Sequence, residues 1–180
     1  TQTVLNKGFT VQLLRNLARV KCCFISFSTA TGDHTNKPLT NEFYLPPTSL
    51  NDEGTDTGLE YFMTLGGKKI TTFPVGPLAA AEMYYRLKCA SGNHDSYLTP
   101  IGITFEEYLN QDVNTGERNF IIGQDLELVA HAGFTGEVFG GGRAFLLDVN
   151  NCGTEDDLPS RCHIMLIHET AMPITESGVM

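Results

Sequence analysis

The feature of this chain that most constrains its fold is a regular alternation of apolar and polar residues that stops at a pair of glycines. Every second residue in the stretch 59–65 is large and apolar, and side chains two positions apart share one face of a strand. After Gly66-Gly67, a second strand-like stretch at 69–73 runs up to Pro74. Two such strands around two residues that both tolerate positive φ predict a tight antiparallel hairpin, which Pro74 is expected to end.

Strand-like stretches recur along the chain and dominate its last third. They alternate apolar residues with polar or smaller ones, which is typical of strands that bury one face. Helical stretches are segregated between runs of strands, so a doubly wound parallel sheet is not favoured. We therefore expect a β-rich α+β fold, built mainly on an antiparallel sheet, sandwich or barrel. Besides the hairpin, the predicted strands are 23–28, 126–130, 135–139, 143–149 and 161–168.

Gly140-Gly141-Gly142 lies between two of these stretches and is interpreted as the turn of a second hairpin. Together with Arg143, it has the glycine content of a loop that cradles phosphate. A phosphate-binding loop requires a helix N-terminus directly after it, whereas the residues after Arg143 have the pattern of a strand. The hairpin is therefore the preferred interpretation.

One helix with recognisable ends is predicted at about 77–90. Proline suits the first position of a helix, as at Pro77, and glycine suits the position just beyond its end, as at Gly92. The stretch between them is rich in alanine, leucine, methionine and tyrosine, which favour or tolerate helix. We expect this helix to cover the sheet with the face that carries Leu78, Ala81 and Tyr85.

Two shorter helices are also predicted. At about 11–19, Thr10 is a suitable N-cap and three leucines supply an apolar stripe. Further along, Thr104 is followed three residues later by Glu107, the spacing of a capping box. This second pattern predicts a short helix that extends through Leu109.

Length and charge limit the kinds of protein that this chain can be. Its 180 residues fit a single domain, 1–180, and we expect extended arms at 1–9 and 173–180, where no compact element is recognised. Acidic residues outnumber basic ones by 21 to 12, which gives a formal net charge of −9. A protein whose main partner is nucleic acid normally has the opposite balance, so we expect no such partner.

The hydropathy of the chain argues against a membrane partner. No stretch approaches the roughly 20 consecutive apolar residues of a spanning helix. The opening residues lack the basic and then apolar stretches of a signal peptide. We therefore expect the protein in the cytoplasm, or in a particle assembled there.

The five cysteines do not have the spacing of a disulfide framework. Cys22 and Cys23 are adjacent on a predicted strand and point to opposite faces, so they are not expected to pair with each other. We expect buried, reduced thiols in a reducing compartment. A bridge between Cys152 and Cys162 is the main alternative.

Zinc-type ligands gather near the C-terminus at Cys152, Cys162, His163 and His168. Structural zinc sites usually place paired ligands two to five residues apart, whereas nine residues separate these two cysteines. On a strand, His163 and His168 face opposite sides because they are an odd number of positions apart. Ordinary sheet residues are therefore the preferred interpretation.

A short motif, Gly92-Asn93-His94-Asp95, follows the covering helix. It resembles the Gly-Asn-His-Asp segment of calcineurin-like metallophosphoesterases, in which the asparagine ligates one of two metals and the histidine helps to hold the phosphoryl group. The resemblance implies that Asn93 is a metal ligand and His94 a transition-state stabiliser. The family's Asp-X-His and Gly-His-X-His motifs do not occur in the expected places, and the motif follows a helix instead of a strand. The alternative is a helix C-cap at Gly92 or Asn93 that leads into a turn.

The remaining polar candidates have no recognised partner pattern. The acidic stretches 51–54 and 155–157 can supply oxygen ligands to Ca²⁺, but neither has EF-hand spacing, and solvated loops are preferred. His34 and His131 are interpreted as surface histidines or core histidines with satisfied hydrogen bonds. We therefore assign no catalytic, cofactor-binding or metal-binding residue and expect no cofactor.

Three classes of function follow from these observations. We favour a non-enzymatic structural or assembly protein that associates with itself or docks on a larger particle, as a virion component such as a phage capsid decoration or tail protein does. The first alternative is a metal-dependent phosphohydrolase that uses the motif 92–95. The second is a small β module that binds a ligand or peptide near the loop 48–58.

Overall fold

The computed structural model describes the segments that carry most of the predicted strands. The described residues are 2–3, 8–14, 17–28, 58–71, 73–76, 80–92, 102–109, 120–127, 137–139, 144–152, 161–169, 174–175 and 178–179. Their strands are β1 (Gln2–Thr3), β2 (Phe9–Leu13), β3 (Leu17–Ser28), β4 (Glu60–Leu65), β5 (Lys68–Lys69), β6 (Ile122–Asp125), β7 (Glu137–Phe139), β8 (Phe145–Asn150), β9 (Arg161–His168), β10 (Ile174–Thr175) and β11 (Gly178–Val179). Their helices are α1 (Ala80–Ala90) and α2 (Phe105–Leu109).

The strands form two main antiparallel sheets. The first sheet has the order β1-β9-β3-β6, with β7 also paired with β3, and the second has the order β2-β8-β4-β5. A separate pair joins β10 to β11. The predicted β-rich, mainly antiparallel α+β fold is confirmed, and among the described strands the sheets do not close into a barrel.

The two sheets share one apolar core. Ile25 and Phe27 of β3 point into it from the first sheet, and Met63 and Leu147 point into it from the second. All four side chains are fully buried, as the alternation along their strands predicts. Removal of these apolar side chains from water is the main force that holds the sheets together.

The hairpin between β4 and β5 is confirmed, although its second strand is shorter than predicted. Gly66 and Gly67 have φ of 57° and 81°, the left-handed values that the two-residue turn requires. Beyond Lys69 the Ile70 amide still donates a hydrogen bond to the Met63 carbonyl, but the Met63 amide donates to the Thr71 hydroxyl instead of to a backbone carbonyl. Pairing with β4 resumes at Val75, which exchanges two backbone hydrogen bonds with Tyr61.

The predicted N-terminal helix at about 11–19 is wrong. This part of the chain contains β2 and the start of β3, and Val11 of β2 is buried opposite Leu147 of β8. Thr10 does not cap a helix, since its hydroxyl donates a 2.6 Å hydrogen bond to the Asp148 carboxylate. Pairing with β8 outweighs a local helical pattern because it buries Val11 and supplies a ladder of backbone hydrogen bonds.

The predicted second hairpin is also wrong. β7 pairs with β3 in the first sheet, whereas β8 pairs with β2 and β4 in the second. The chain between them therefore connects the two sheets, and residues 140–143 lie outside the described residues. A glycine-rich stretch between two strands fits a crossover between sheets as well as a turn, so local sequence does not separate the two.

The strand predicted at 126–130 lies earlier in the chain, as β6. Leu126 is already beyond it, although its amide still donates a hydrogen bond to the Lys21 carbonyl of β3. Residues 128–130 lie outside the described residues. The register is fixed by the pairing of Ile122 with Ile25, which places two large apolar side chains together in the core.

Helix α1 packs on the first sheet, as predicted, but with a different face. Its buried residues are Met83, Leu87 and Ala90, whereas Tyr85 is exposed. The reason is the glycine of β6 beneath it, because Gly123 lets the helix backbone at Leu87 approach the sheet closely. Gly92 ends the helix with φ of 79°, as predicted, and residues 77–79 lie outside the described residues.

Helix α2 begins with the predicted capping box. The Thr104 amide donates a 2.7 Å hydrogen bond to the Glu107 carboxylate, and the Glu107 amide donates one of 3.2 Å to the Thr104 hydroxyl. The helix ends at Leu109, as predicted. Of the two helices in the described part of the chain, neither has the length and apolar character needed to cross a membrane.

The two ends of the chain are described only in part. β1 pairs with Arg161 and Cys162 of β9, so this part of the stretch 1–9 joins the first sheet. Residues 174–175 and 178–179 form the small β10-β11 pair. That the ends act as arms toward a neighbouring subunit stays a prediction.

Candidate functional site

The phosphoesterase-like motif is only partly described. Gly92 ends α1 in the left-handed conformation, which fits the helix-cap interpretation of that glycine. Asn93, His94 and Asp95 lie outside the described residues, so their roles stay predictions. Within the described segments, no group of three or more histidine, cysteine, aspartate or glutamate side chains can hold a metal ion.

The cysteine and histidine set near the C-terminus is not brought together as a ligand cluster. Cys162 pairs with Phe27 and is buried in the core, whereas His163 pairs with Ser26 on the opposite face of the sheet. Alternation along β9 separates them, because neighbouring residues of a strand point to opposite sides. The other candidates lie outside the described residues. They are His34, His131, the stretches 51–54, 140–143 and 155–157, and the loop 48–58 up to residue 57.

The cysteines are free thiols, and all but Cys89 are buried. Burial raises the pKa of Cys22 to about 11 and that of Cys162 to about 12. The pKa values of Cys23 and Cys152 are also raised, again chiefly by burial. A thiol with a raised pKa is a poor nucleophile and a poor metal ligand at neutral pH, so these cysteines act as core residues.

A groove of about 400 Å³ crosses the outer face of the first sheet. Phe24 and Ser26 of β3 form its floor, and His163 and Met165 of β9 form one side. The other side is formed by Leu87 of α1 together with Ile103 and Ile121. This volume is in the range of sites that take a small ligand or an inserted side chain.

The groove is mainly apolar, and its main polar groups are Ser26, Ser91 and the His163 imidazole. His163 Nε2 lies 3.0 Å from the Ser28 hydroxyl oxygen, which holds the ring at this side of the groove. Ser28 and His163 are 135 residues apart in the chain. Sequence reasoning missed this pair, which only the register between β3 and β9 reveals.

Apolar side chains continue from the groove across β9 toward its outer edge. Met165 is 59% exposed and Ile167 is 46% exposed, although both lie on a strand of the main sheet. They share the outer face with Phe24, which pairs with Met165. Contiguous apolar surface of this kind marks an interaction site more often than scattered exposed residues do.

The edge of β9 beside these residues has little described pairing. On one side, β9 pairs with β3 from Arg161 to His168. On the other side, among the described strands, β1 pairs only with Arg161 and Cys162. Within the described residues, no strand pairs with residues 164–167 on that outer side.

Comparison of the chain with protein-family models, with curated proteins and with solved structures gives no match in any of the three. The groove and the β9 edge are the features of the described residues that can carry a function. Both features lie on the same sheet and share Met165, which makes this region the candidate functional site.

Proposed function

We propose that this chain is a structural, assembly-type protein that associates with copies of itself through the outer edge of β9. The observation that carries the proposal is the exposed apolar pair Met165 and Ile167 on β9, in residues 164–167 that pair with no described strand on their outer side. The stretch 163–168 contains no lysine, acidic residue or proline.

An edge of this composition favours pairing with another strand. Natural sheets usually protect their edges with lysine, proline, bulges or very short strands, because exposed backbone groups pair readily with another chain. The nearest charged residues of β9 and its end are Arg161 and Glu169, which lie outside this stretch. The backbone of residues 164–167 is thus suited to pairing with a second strand.

A second copy is the partner that fits this edge. Two copies of β9 can pair antiparallel about a two-fold axis, which uses the same surface on both subunits. Met165 and Ile167 of the two copies then lie side by side on the outer face. Their burial adds an apolar contribution to the backbone hydrogen bonds, and cross-strand pairs of this kind stabilise a sheet.

The test is a lysine on the proposed edge. Ile167→Lys places a charge on the apolar strip, and we expect it to weaken self-association by at least about tenfold. The matched control is Val138→Lys, because Val138 is a comparably exposed apolar residue, at 50%, on β7 of the same sheet. Light scattering after size-exclusion chromatography measures the association of each protein.

Weaker association of Ile167→Lys than of Val138→Lys supports the edge contact. Equal association of the two variants, with unchanged circular dichroism spectra, would show that this edge is not the contact. A wild-type chain that stays monomeric at every concentration would contradict the assembly function itself.

A further inference from the structure

We infer that the groove on the outer face of the first sheet receives Phe73 of a second copy, in a head-to-tail contact. The inference rests on the proposed self-association and adds a second kind of interface to it. Three observations carry it, namely an exposed aromatic side chain on a fixed backbone, an apolar groove, and opposite charges beside the two.

Phe73 is an exposed aromatic side chain next to a well-fixed segment. Its side chain is 76% exposed, although Pro74 and the buried Val75 follow it directly. Val75 is held by two backbone hydrogen bonds to Tyr61, of 3.0 and 2.9 Å. Aromatic side chains that enter a pocket with little loss of conformational entropy are frequent anchors of protein interfaces.

The groove offers a matching receptor for an aromatic ring. Its volume of about 400 Å³ has room for a phenylalanine side chain. Phe24 at its floor and Met165 at its side supply the aromatic and sulfur contacts that phenylalanine favours. A phenyl ring has no hydrogen-bonding group to desolvate, so its contact with the apolar part of the lining removes apolar surface from water without loss of a hydrogen bond.

Two cationic residues precede Phe73, and an acidic residue follows Ile103 of the groove by three positions. Lys68 and Lys69 of β5 are exposed and shortly precede Phe73. On the groove side, Ile103 is followed by Glu106, an exposed residue in the first turn of α2. In a chain with a net charge of −9, a lysine pair beside the anchor steers it toward acidic surface of another copy.

The two surfaces belong to different sheets, which makes the contact head-to-tail. Phe73 follows β5 of the second sheet, whereas the groove lies on the outer face of the first. One contact therefore leaves an unused Phe73 on one copy and an unused groove on the other. Contacts of this type add further copies until a ring closes or a filament grows.

The experiment is a complementation test in which every protein also carries Ile167→Lys, so that the β9 edge contact is removed. Phe73→Asp removes the anchor, and Ser26→Lys fills the groove from its floor. Leu14→Asp is the control, because Leu14 is 77% exposed and is not among the residues that line the groove. Native mass spectrometry and sedimentation velocity measure the assemblies formed by each protein and by mixtures.

We expect the Ile167→Lys parent and the Leu14→Asp control to associate beyond dimers. Phe73→Asp and Ser26→Lys are each expected to be monomeric, with association weakened by at least about thirtyfold. An equimolar mixture of these two variants is expected to give a heterodimer with one copy of each. That heterodimer cannot grow, since its remaining anchor and groove are both disabled.

A mixture that stays monomeric would overturn the inference, as would a Phe73→Asp variant that associates like its parent. A monomeric Ile167→Lys parent would overturn the inference too. If the wild type were dimeric while this parent was monomeric, the β9 edge proposal would still hold. Retention of a small amphipathic molecule by the groove, with no heterodimer, would assign the groove to a ligand and would also overturn the inference. If Ser26→Lys fails to fold by circular dichroism, Ser91→Lys at the exposed end of α1 replaces it.

Discussion

At the scale of single residues, the packing of α1 depends on the absence of a side chain at Gly123. A Cβ atom there would lie 2.7 Å from the Cα of Leu87, a backbone atom that cannot move aside without shifting the helix. We expect Gly123→Ala to lower the free energy of unfolding by about 2 kcal/mol or more, measured by urea denaturation.

The matched control for this substitution is Gly102→Ala. Gly102 has φ of 82°, but no heavy atom lies near its Cβ position. Its substitution is expected to cost about 1 kcal/mol from backbone strain alone. Equal effects of the two substitutions would contradict the close approach of α1 to β6.

Two buried tyrosines allow a second test at this scale. The Tyr61 hydroxyl is buried without a hydrogen-bond partner among the described residues, whereas the Tyr108 hydroxyl donates a 3.1 Å hydrogen bond to the Ile121 carbonyl. A buried hydroxyl without a partner loses its hydrogen bonds to water and gains none within the protein. We therefore expect Tyr61→Phe to raise the free energy of unfolding by about 1 kcal/mol and Tyr108→Phe to lower it by a similar amount. Thermal unfolding of both variants measures the difference, and a destabilised Tyr61→Phe would contradict this account.

The buried thiols predict a loss of stability at alkaline pH. Burial raises the pKa of the Cys162 thiol from its ordinary value near 9 to about 12, so the folded state favours the protonated form. The stability that this contributes is complete below about pH 9 and is lost as pH rises through about 12. We expect the free energy of unfolding, measured with urea, to fall between about pH 9 and pH 12 relative to its value at neutral pH. The fall is expected to be smaller for Cys162→Ala, which lacks this thiol. An identical pH dependence of the two proteins would contradict the assignment.

At the scale of secondary-structure elements, the sequence predicted best where a local rule and the tertiary contacts agree. The alternation in β4, the glycine pair at the turn and the capping box of α2 all require only neighbouring residues. β2 could not be predicted in this way, because Leu13, Leu14 and Leu17 have the spacing of a helical stripe. Its partner β8 lies more than a hundred residues away, and only that pairing shows why Val11 is buried.

The capping box of α2 gives a prediction of its own. Two contacts with Thr104 hold the pKa of Glu107 below its usual value. The hydrogen bond from the Thr104 amide has the larger effect, and the contact with the Thr104 hydroxyl has the smaller one. The stabilisation is therefore present above the ordinary glutamate pKa and is lost as pH falls through the lowered one. We expect Thr104→Ala to move the Glu107 pKa back toward its usual value in an NMR titration. An unchanged pKa would show that the Thr104 hydroxyl does not contribute.

At the scale of the whole molecule, the antiparallel class of the fold was predictable, but the division into two sheets was not. The order of strands depends on long-range pairings such as β3 with β9 and β2 with β8, which leave no local signal. For the same reason, the groove and the contact between Ser28 and His163 were invisible in the sequence. The prediction of an assembly protein rests on composition and loops, and the β9 edge is the surface that we propose for it.

Self-association of the wild-type chain can be measured by sedimentation equilibrium over a wide concentration range. We expect an average mass that exceeds the 19.7 kDa of one chain and increases with protein concentration. The reason is that the proposed β9 edge contact and the proposed Phe73 contact both add copies. A mass that stays at 19.7 kDa throughout would contradict the account.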